Sequence, residues 1–420
     1  LQAIRVVLSL GMEVAGEIRF DRKHYVYPDL SKNYQTSQYY STLGKNGLME
    51  LDIQSETRKI RIREAHLEED AARLHHSDKG SMVDFNRCGQ PLLEMVTEPD
   101  FRNGEEVEIF IREYQLMLRT IKVSDADMEL GQFRCDANVS VSKDDSSFGT
   151  RVEIKNINSP RFIRLAIDYE IQRQINILKS GGSLERETRR WNENAGITEP
   201  MRSKELALDY RYLSEPDLSV VRIGKDELLE IRQSIPELPR ERVERFIDEY
   251  KLKKEIAKDL IQSSETADYF EECVKLFEDT DLLAHWIFSQ LRVLNIEKKL
   301  SFLDSPITPK RFCRLLELLK KEHVSAGNAK KTLAIMYESM EEPDEIIRMR
   351  NMEQISDDLQ IKIWIDAVIK EHPEAVEKFK DGKTKTLEFL IGQVLKKSNG
   401  KVNPGKAKEL FLNSLTTEKT

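Results

Sequence analysis

The chain has 420 residues, 39% of them hydrophobic and 33% charged, with a formal net charge of −8. That length supports two or three domains with substantial cores. The acidic balance excludes a globally basic nucleic-acid binder and leaves only local basic patches. No run of about eighteen apolar residues offers a membrane span. Cys88, Cys135, Cys273 and Cys313 form neither a C-x-x-C pair nor a disulfide framework, which fits a reducing, cytoplasmic setting.

Residues 2–10 place apolar side chains at helical spacing, with Gly11 as a stop. The chain therefore opens inside an amphipathic helix, without a signal-peptide layout. We expect it to be the interior of a longer, N-terminally truncated chain. Residues 20–38 are rich in Tyr, Asp and Lys, with turns marked at Pro28 and Asn33. Clustered tyrosines beside basic groups stack on bases or serve as ordinary sheet residues. Residues 44–47 read as a hairpin turn between two glycines.

Residues 59–69 read as a strand. Ile60 and Ile62 share one face while Ala65 and Leu67 share the other, so the apolar register changes near Glu64. A bulge there would re-aim His66 and Glu69. Residues 71–81 read as a loop and 105–121 as a helix. In 133–141 the odd positions are apolar and the even ones are Arg134, Asp136, Asn138 and Ser140; in 150–157 Val152 and Ile154 alternate with Glu153 and Lys155. This alternation marks a sheet with one buried and one polar face. The polar face either meets water or lines a cradle floor with Arg134, Asp136, Asn138, Glu153 and Lys155.

Residues 161–179 form a predicted long helix closed by Gly181 and Gly182. Residues 188–191 and 201–217 return to extended, turn-rich sequence. Beyond P-E-L-P (236–239) the pattern is almost wholly helical, which places a domain boundary near 235. Lys320, Lys321, Lys330 and Lys331, and then Lys396, Lys397, Lys401, Lys406 and Lys408, form local basic patches. They suit either a solvated helix face or a phosphate backbone.

Chemistry concentrates in residues 61–100. R-I-R-E-A-H-L-E-E-D is followed by D-F-N-R-C-G-Q-P-L-L-E-M-V-T-E-P-D, setting carboxylates and arginines among apolar strand residues. Such groups are costly to bury unpaired, so a compensating hard cation or phosphate is expected. The oxygen-rich set suits Mg²⁺ and phosphoryl transfer better than structural zinc. There is no P-loop, Rossmann fingerprint, G-x-S-x-G elbow or H-E-x-x-H pair.

Nine motifs stand in order: F-D-R-K-H-Y-V-Y-P-D-L (20–30), H-L-E-E-D (66–70), the 84–100 stretch, R-C-D-A-N-V-S-V (134–141), E-I-K-N-I-N-S (153–159), E-T-R-R-W (187–191), M-R-S-K-E (201–205), D-Y-R-Y (209–212) and E-P-D-L (215–218). Together they resemble the B subunit of the bacterial glutamyl/aspartyl-tRNA amidotransferase, the GatB family. A-D-Y-F-E (267–271), H-W-I (285–287) and I-G-Q-V (391–394) carry the resemblance through the helical part.

The resemblance implies an α+β fold. Its catalytic cradle is of the glutamine-synthetase/guanido-kinase type, with a mostly antiparallel sheet over 1–235. A helical domain over 236–350 follows, then a YqeY-like tail over 351–420 whose similarity extends back to about 268. It implies ATP- and Mg²⁺-dependent phosphorylation of the side-chain carboxylate of misacylated Glu-tRNA(Gln) or Asp-tRNA(Asn). Amidation by ammonia follows, in a heterotrimer with an amidase-like A subunit and a small C subunit. The family's metal ligands map onto Glu69 and Glu94. A further Glu and His, in a G-L-E-V-H motif, have no counterpart here, and the cysteine cluster of some members is also missing. His66 and Arg87 join Glu69 and Glu94 as candidate catalytic residues, and strand position suggests Arg63, Arg134 and Lys155 as contacts to phosphate or carboxylate. Two other functions share parts of this pattern: an ATP-dependent ligase on a small free carboxylate, and a non-catalytic tRNA-binding scaffold.

Overall fold

The computed structural model describes residues 1–420 except 55, 78–79, 145–146, 202–208, 356, 381–384 and 418–420. Most of the M-R-S-K-E motif thus lies outside the described residues. The chain forms two compact units, Leu1–Glu241 and Arg242–Thr420.

The first unit opens with α1 (Gln2–Ser9), which ends where Gly11 turns the chain at φ +63°. Short strands β1 (Glu13–Val14), β2 (Glu17–Ile18), β3 (Asp21–His24) and β4 (Tyr34–Ser37) lead into the long β5 (Gly44–Ile53) and β6 (Glu56–Glu69). Then come β7 (Arg73–Ser77), β8 (Gly80–Asp84), β9 (Pro91–Thr97) and α2 (Gly104–Thr120), which Asn103 caps by accepting from the Glu106 amide. The remainder is β10 (Ala137–Val139), β11 (Val152–Lys155), α3 (Pro160–Lys179), β12 (Glu187–Asn192), β13 (Ile197–Pro200), β14 (Leu213–Ser214), β15 (Val221–Arg222) and α4 (Lys225–Gln233).

Two four-stranded sheets carry the unit. The first has the order β1-β5-β6-β9 and is antiparallel throughout. The second has the order β10-β11-β12-β13, with β11 and β12 parallel because α3 crosses between them. Val152, Ile154, Ile163 and Trp191 are buried, and the last three share one core cluster with Phe110 of α2. Val6 and Val7 of α1, Ile62 and Ala65 of β6, and Ile121 just beyond α2 build the other.

Two predictions about this region change. Gly44 and Gly47 are not a turn but lie inside β5. The helix and its exit press on the sheet there: a Cβ at Gly44 would sit 2.5 Å from Val7 Cγ1, and one at Gly47 2.5 Å from Met12 Cγ. Gly44→Ala is therefore expected to cost about 1–3 kcal/mol by overpacking, whereas Gly16→Ala, which meets open space, stays within about 0.5 kcal/mol; urea unfolding of both variants checks this. Residues 71–81 are not a loop throughout, because β7 and β8 pair as an antiparallel hairpin.

The second unit is helical, as the sequence pattern indicates, and runs from the rest of α5 (Pro239–Tyr250) to the chain's last helix, Pro404–Thr417. Phe246, Phe270 and Phe312 are fully buried within it. Arg311 acts as a clip: its guanidinium donates to the carbonyls of Pro306, Met336, Ser339 and Glu341. The last helices have their own core of Ile361, Ile365, Leu390, Val394 and Phe411. Among the described residues, no helix is long and apolar enough to cross a membrane.

Candidate active site

The β6–β9 ladder sets the site. Its register shifts between Ile62 and Glu64, where β6 accommodates an extra residue, Arg63. A bulge changes which face later residues occupy, so Ala65 returns to the core while His66 turns outward. Glu94 of β9 lies directly across from His66, and Glu69 across from Pro91. Side chains alternate along a strand, so His66, Glu68 and Glu94 share one face and Glu69 belongs to the other.

The distances follow that parity. His66 Nε2 lies 3.3 Å from Glu68 Oε1 and 3.7 Å from Glu94 Oε2. Ligand atoms of the three residues all fall within 4.8 Å of one another. Glu69 meets different partners, Lys32 Nζ at 2.6 Å and the Thr36 amide at 2.9 Å. The structure therefore brings Glu68, not the expected Glu69, beside Glu94 and His66. H-L-E-E-D contains two adjacent carboxylates, and pleating sends only the first to the side of His66. That shared parity of positions 66 and 68 was the signal available in the sequence.

Strand β4 holds Glu68 in place. Ser37 Oγ donates to Glu68 Oε1 at 2.9 Å, and Gln35 Nε2 donates to Glu68 Oε2 at 3.1 Å and to the Glu69 carbonyl at 2.8 Å. Lys23 Nζ of β3 stands 3.9 Å from Glu68 Oε1. None of these three supports was singled out in the sequence, because their roles depend on a non-local strand contact.

Electrostatics separate the three groups. Burial pushes Glu68 up, but the His66 hydrogen bond and the Lys23 charge outweigh it, and its carboxyl lies below the usual range. Burial and then the Glu68 charge push Glu94 up. Burial lowers His66, yet the Glu68 hydrogen bond and the charges of Glu94 and Glu68 raise it on balance. The cluster thus stabilises positive charge at its centre. His66 Nδ1 is buried and lacks a hydrogen-bond partner among the described residues. Two carboxylates beside an imidazole fit a hard divalent cation, and these three residues would hold it.

Paired cations lie just beyond the end of β6 and on the second sheet. Asp70 binds Arg87 Nη2 at 2.9 Å and Arg134 Nη2 at 2.7 Å. Asp70 thus joins the two guanidiniums just beyond the end of β6. On the second sheet, Lys155 Nζ contacts Asp136 at 2.8 Å and Glu153 at 3.3 Å. The Asp136 charge also pushes the Glu94 carboxyl up, after burial and the Glu68 charge. The structure does not bring Arg63 to the cluster: it sits at the bulge, largely exposed, and pairs with Glu64 at 3.9 Å.

An imidazole beside two carboxylates on one face of an antiparallel sheet, in an α+β unit, is the kind of cluster that can hold a hard cation. Residues 1–229 match the GatB/GatE catalytic domain and residues 268–415 match the GatB domain. The chain belongs to the GatB family. It is 42% identical over 420 residues to a Carboxydothermus hydrogenoformans protein, named there as the B subunit of aspartyl/glutamyl-tRNA(Asn/Gln) amidotransferase, covering 98% of this chain and 87% of that one. Relatives of the same name in Persephonella marina and Brevibacillus brevis are 41% identical over 404 residues and 40% identical over 419. Those matches cover 96% and 98% of this chain, and 85% and 88% of theirs.

Proposed function

We propose that this chain activates and amidates the side chain of misacylated Glu-tRNA(Gln) or Asp-tRNA(Asn), yielding Gln-tRNA(Gln) or Asn-tRNA(Asn). Membership of the GatB family and the name carried by its relatives support the reaction; the observation that carries the reading for these residues is the convergence of His66, Glu68 and Glu94 on one strand face. A side-chain carboxylate is a poor acyl donor. Its oxygen attacks the γ-phosphorus of ATP and ADP leaves; ammonia then attacks the acyl carbon and phosphate departs with the bonding pair. A bound Mg²⁺ supplies neutralisation of phosphate charge. Glu68, Glu94 and His66 would hold that ion. Arg87, Arg134 and Lys155, each held by a carboxylate, are the donors that would meet phosphoryl oxygens, and the His66 hydrogen bond with the Lys23 charge keeps Glu68 ionised.

In this role the chain works in the cytoplasm with the tRNA pool, alongside an amidase-like A subunit that supplies ammonia and a small C subunit. Its parts are then a cradle over 1–235, a helical body over 236–350 and a tail over 351–420. Reconstitution with both partners, ATP and Mg²⁺ should give amidated RNA and an ATPase that depends on misacylated RNA. ATPase driven by free glutamate alone would select a small-molecule ligase, and RNA binding without ATPase would select a scaffold. Truncation after residue 350 is expected to weaken RNA binding and flatten its salt dependence, because it removes Lys396, Lys401 and Lys408. Unchanged affinity across a salt series would count against a tail contact.

A further inference from the structure

An aromatic run leads away from the acidic cluster. Tyr212 and Tyr39 stack face to face, with centroids 4.0 Å apart and planes at 12°. Tyr210 lies edge-on to Tyr212 at 6.1 Å, and Lys23 Nζ stands 4.9 Å over the Tyr210 ring. The same ammonium faces Glu68. Lys23 thus links the inner end of the run to Glu68. At the outer end, Tyr39 is 59% and Tyr40 64% exposed. Tyr212 covers one face of Tyr39, and Tyr40 meets the same ring in a T-shaped contact at 5.2 Å and 83°, yet more than half of Tyr39 stays open to solvent.

The run is held rigidly. Asp21, itself buried, accepts from the Tyr39 and Tyr40 amides at 2.7 and 3.1 Å. Gln38, also buried, donates to the Arg19 carbonyl at 3.0 Å and accepts from the Leu67 amide at 2.8 Å. The Tyr40 hydroxyl donates to the Tyr212 carbonyl at 3.3 Å. Exposed tyrosines fixed this way lose little freedom when a planar ligand lands on them. Their apolar area is otherwise unfavourably hydrated.

We infer that the Tyr39–Tyr212 stack is the subsite for the terminal nucleobase of the acylated RNA. The assignment rests on the function proposed above and names where one end of that substrate sits. Stacking suits any base, because every base presents a π-face. The amino acid esterified to the terminal ribose would then reach inward toward Glu68 and Glu94. The open outer end favours the RNA terminus over the adenine of ATP, since a polymer needs an exit to solvent and a free nucleotide does not.

The test uses the full chain and an RNA hairpin with a single-stranded 3′ end terminating in 2-aminopurine. Anisotropy reports binding of the RNA body, and 2-aminopurine fluorescence reports stacking of the terminal base. The native protein should quench the fluorescence. Tyr39→Phe should retain the quenching, while Tyr39→Leu and Tyr212→Leu should abolish it and weaken the RNA affinity roughly tenfold. In the reconstituted complex both Leu variants should raise KM for the RNA and leave KM for ATP unchanged. Binding without quenching by the native protein overturns this subsite alone. A rise in KM for ATP only overturns it in favour of the adenine ring. No anisotropy change overturns the RNA-dependent reading and this subsite with it.

Discussion

Glu68→Ala, introduced into the complete amidotransferase complex, is expected to lower amidation by about 10³-fold, whereas Glu69→Ala lowers it by less than about tenfold. The two residues are neighbours of identical chemistry, so the comparison isolates geometry. Glu68 faces His66 and Glu94 within 4.8 Å and is held by Ser37, Gln35 and Lys23. Glu69 closes an ion pair with Lys32 and receives the Thr36 amide. Removing it loosens β4 and reaches Glu68 only indirectly. Glu94→Ala should match Glu68→Ala, and glutamine hydrolysis by the partner amidase should persist in all three. Mn²⁺ titration supplies a second readout: affinity should fall in the Glu68 and Glu94 variants and hold in the Glu69 variant. Equal losses for Glu68 and Glu69, or a larger loss for Glu69, would return the ligand role to Glu69.

The same comparison shows where the sequence was readable. The bulge was visible because Ile60 and Ile62 differ in parity from Ala65 and Leu67, and the register shift falls between Ile62 and Glu64. The β10 and β11 polar face was visible because alternation over a half-buried pair leaves a period of two. The β7–β8 hairpin was hidden because R-L-H-H-S and G-S-M-V-D lack clear alternation, and ladder hydrogen bonds leave no mark in composition. Gly44 and Gly47 were misread because a close approach by α1 and a turn demand the same residue. Lys23, Gln35 and Ser37 stayed unseen because only pairing in space brings β3 and β4 to β6. Glu68 was legible in principle, since its parity with His66 follows from the strand alone.

Glu170→Gln is expected to be the most destabilising single polar substitution in the first unit, costing about 3–5 kcal/mol. Glu170 is fully buried on α3 and accepts from Arg173, at 2.9 Å through Nε and 2.7 Å through Nη2, and from Gln174 and Thr198, each at 2.9 Å. Arg189 of β12, nearly buried, stands 3.6 Å away and donates to Thr198 of β13 through both Oγ1 and the carbonyl. One carboxylate therefore ties α3 to the sheet that presents Asp136 and Lys155. An amide in its place removes one of the two carboxylates that face Arg173 and Arg189 and leaves Glu187, at 2.9 and 3.0 Å, as the carboxylate partner of both guanidiniums, the costly direction for breaking a buried network. By contrast Glu272→Gln, which breaks the exposed pair with Lys275, should stay within about 0.5 kcal/mol. Burial pushes the Glu170 carboxyl up, but the hydrogen bonds from Arg173, Gln174 and Thr198 and the Arg173 charge hold it below the ordinary range. As pH falls, protons bind the unfolded chain first. The carboxylate's contribution is complete above the ordinary carboxylate range and drains away as pH falls through the lowered folded value. Native-state hydrogen exchange of the β12 and β13 amides should show a wide gap between native protein and Glu170→Gln near neutrality that narrows in acid. A gap that is independent of pH would mean that side-chain shape, rather than charge, holds this helix to its sheet.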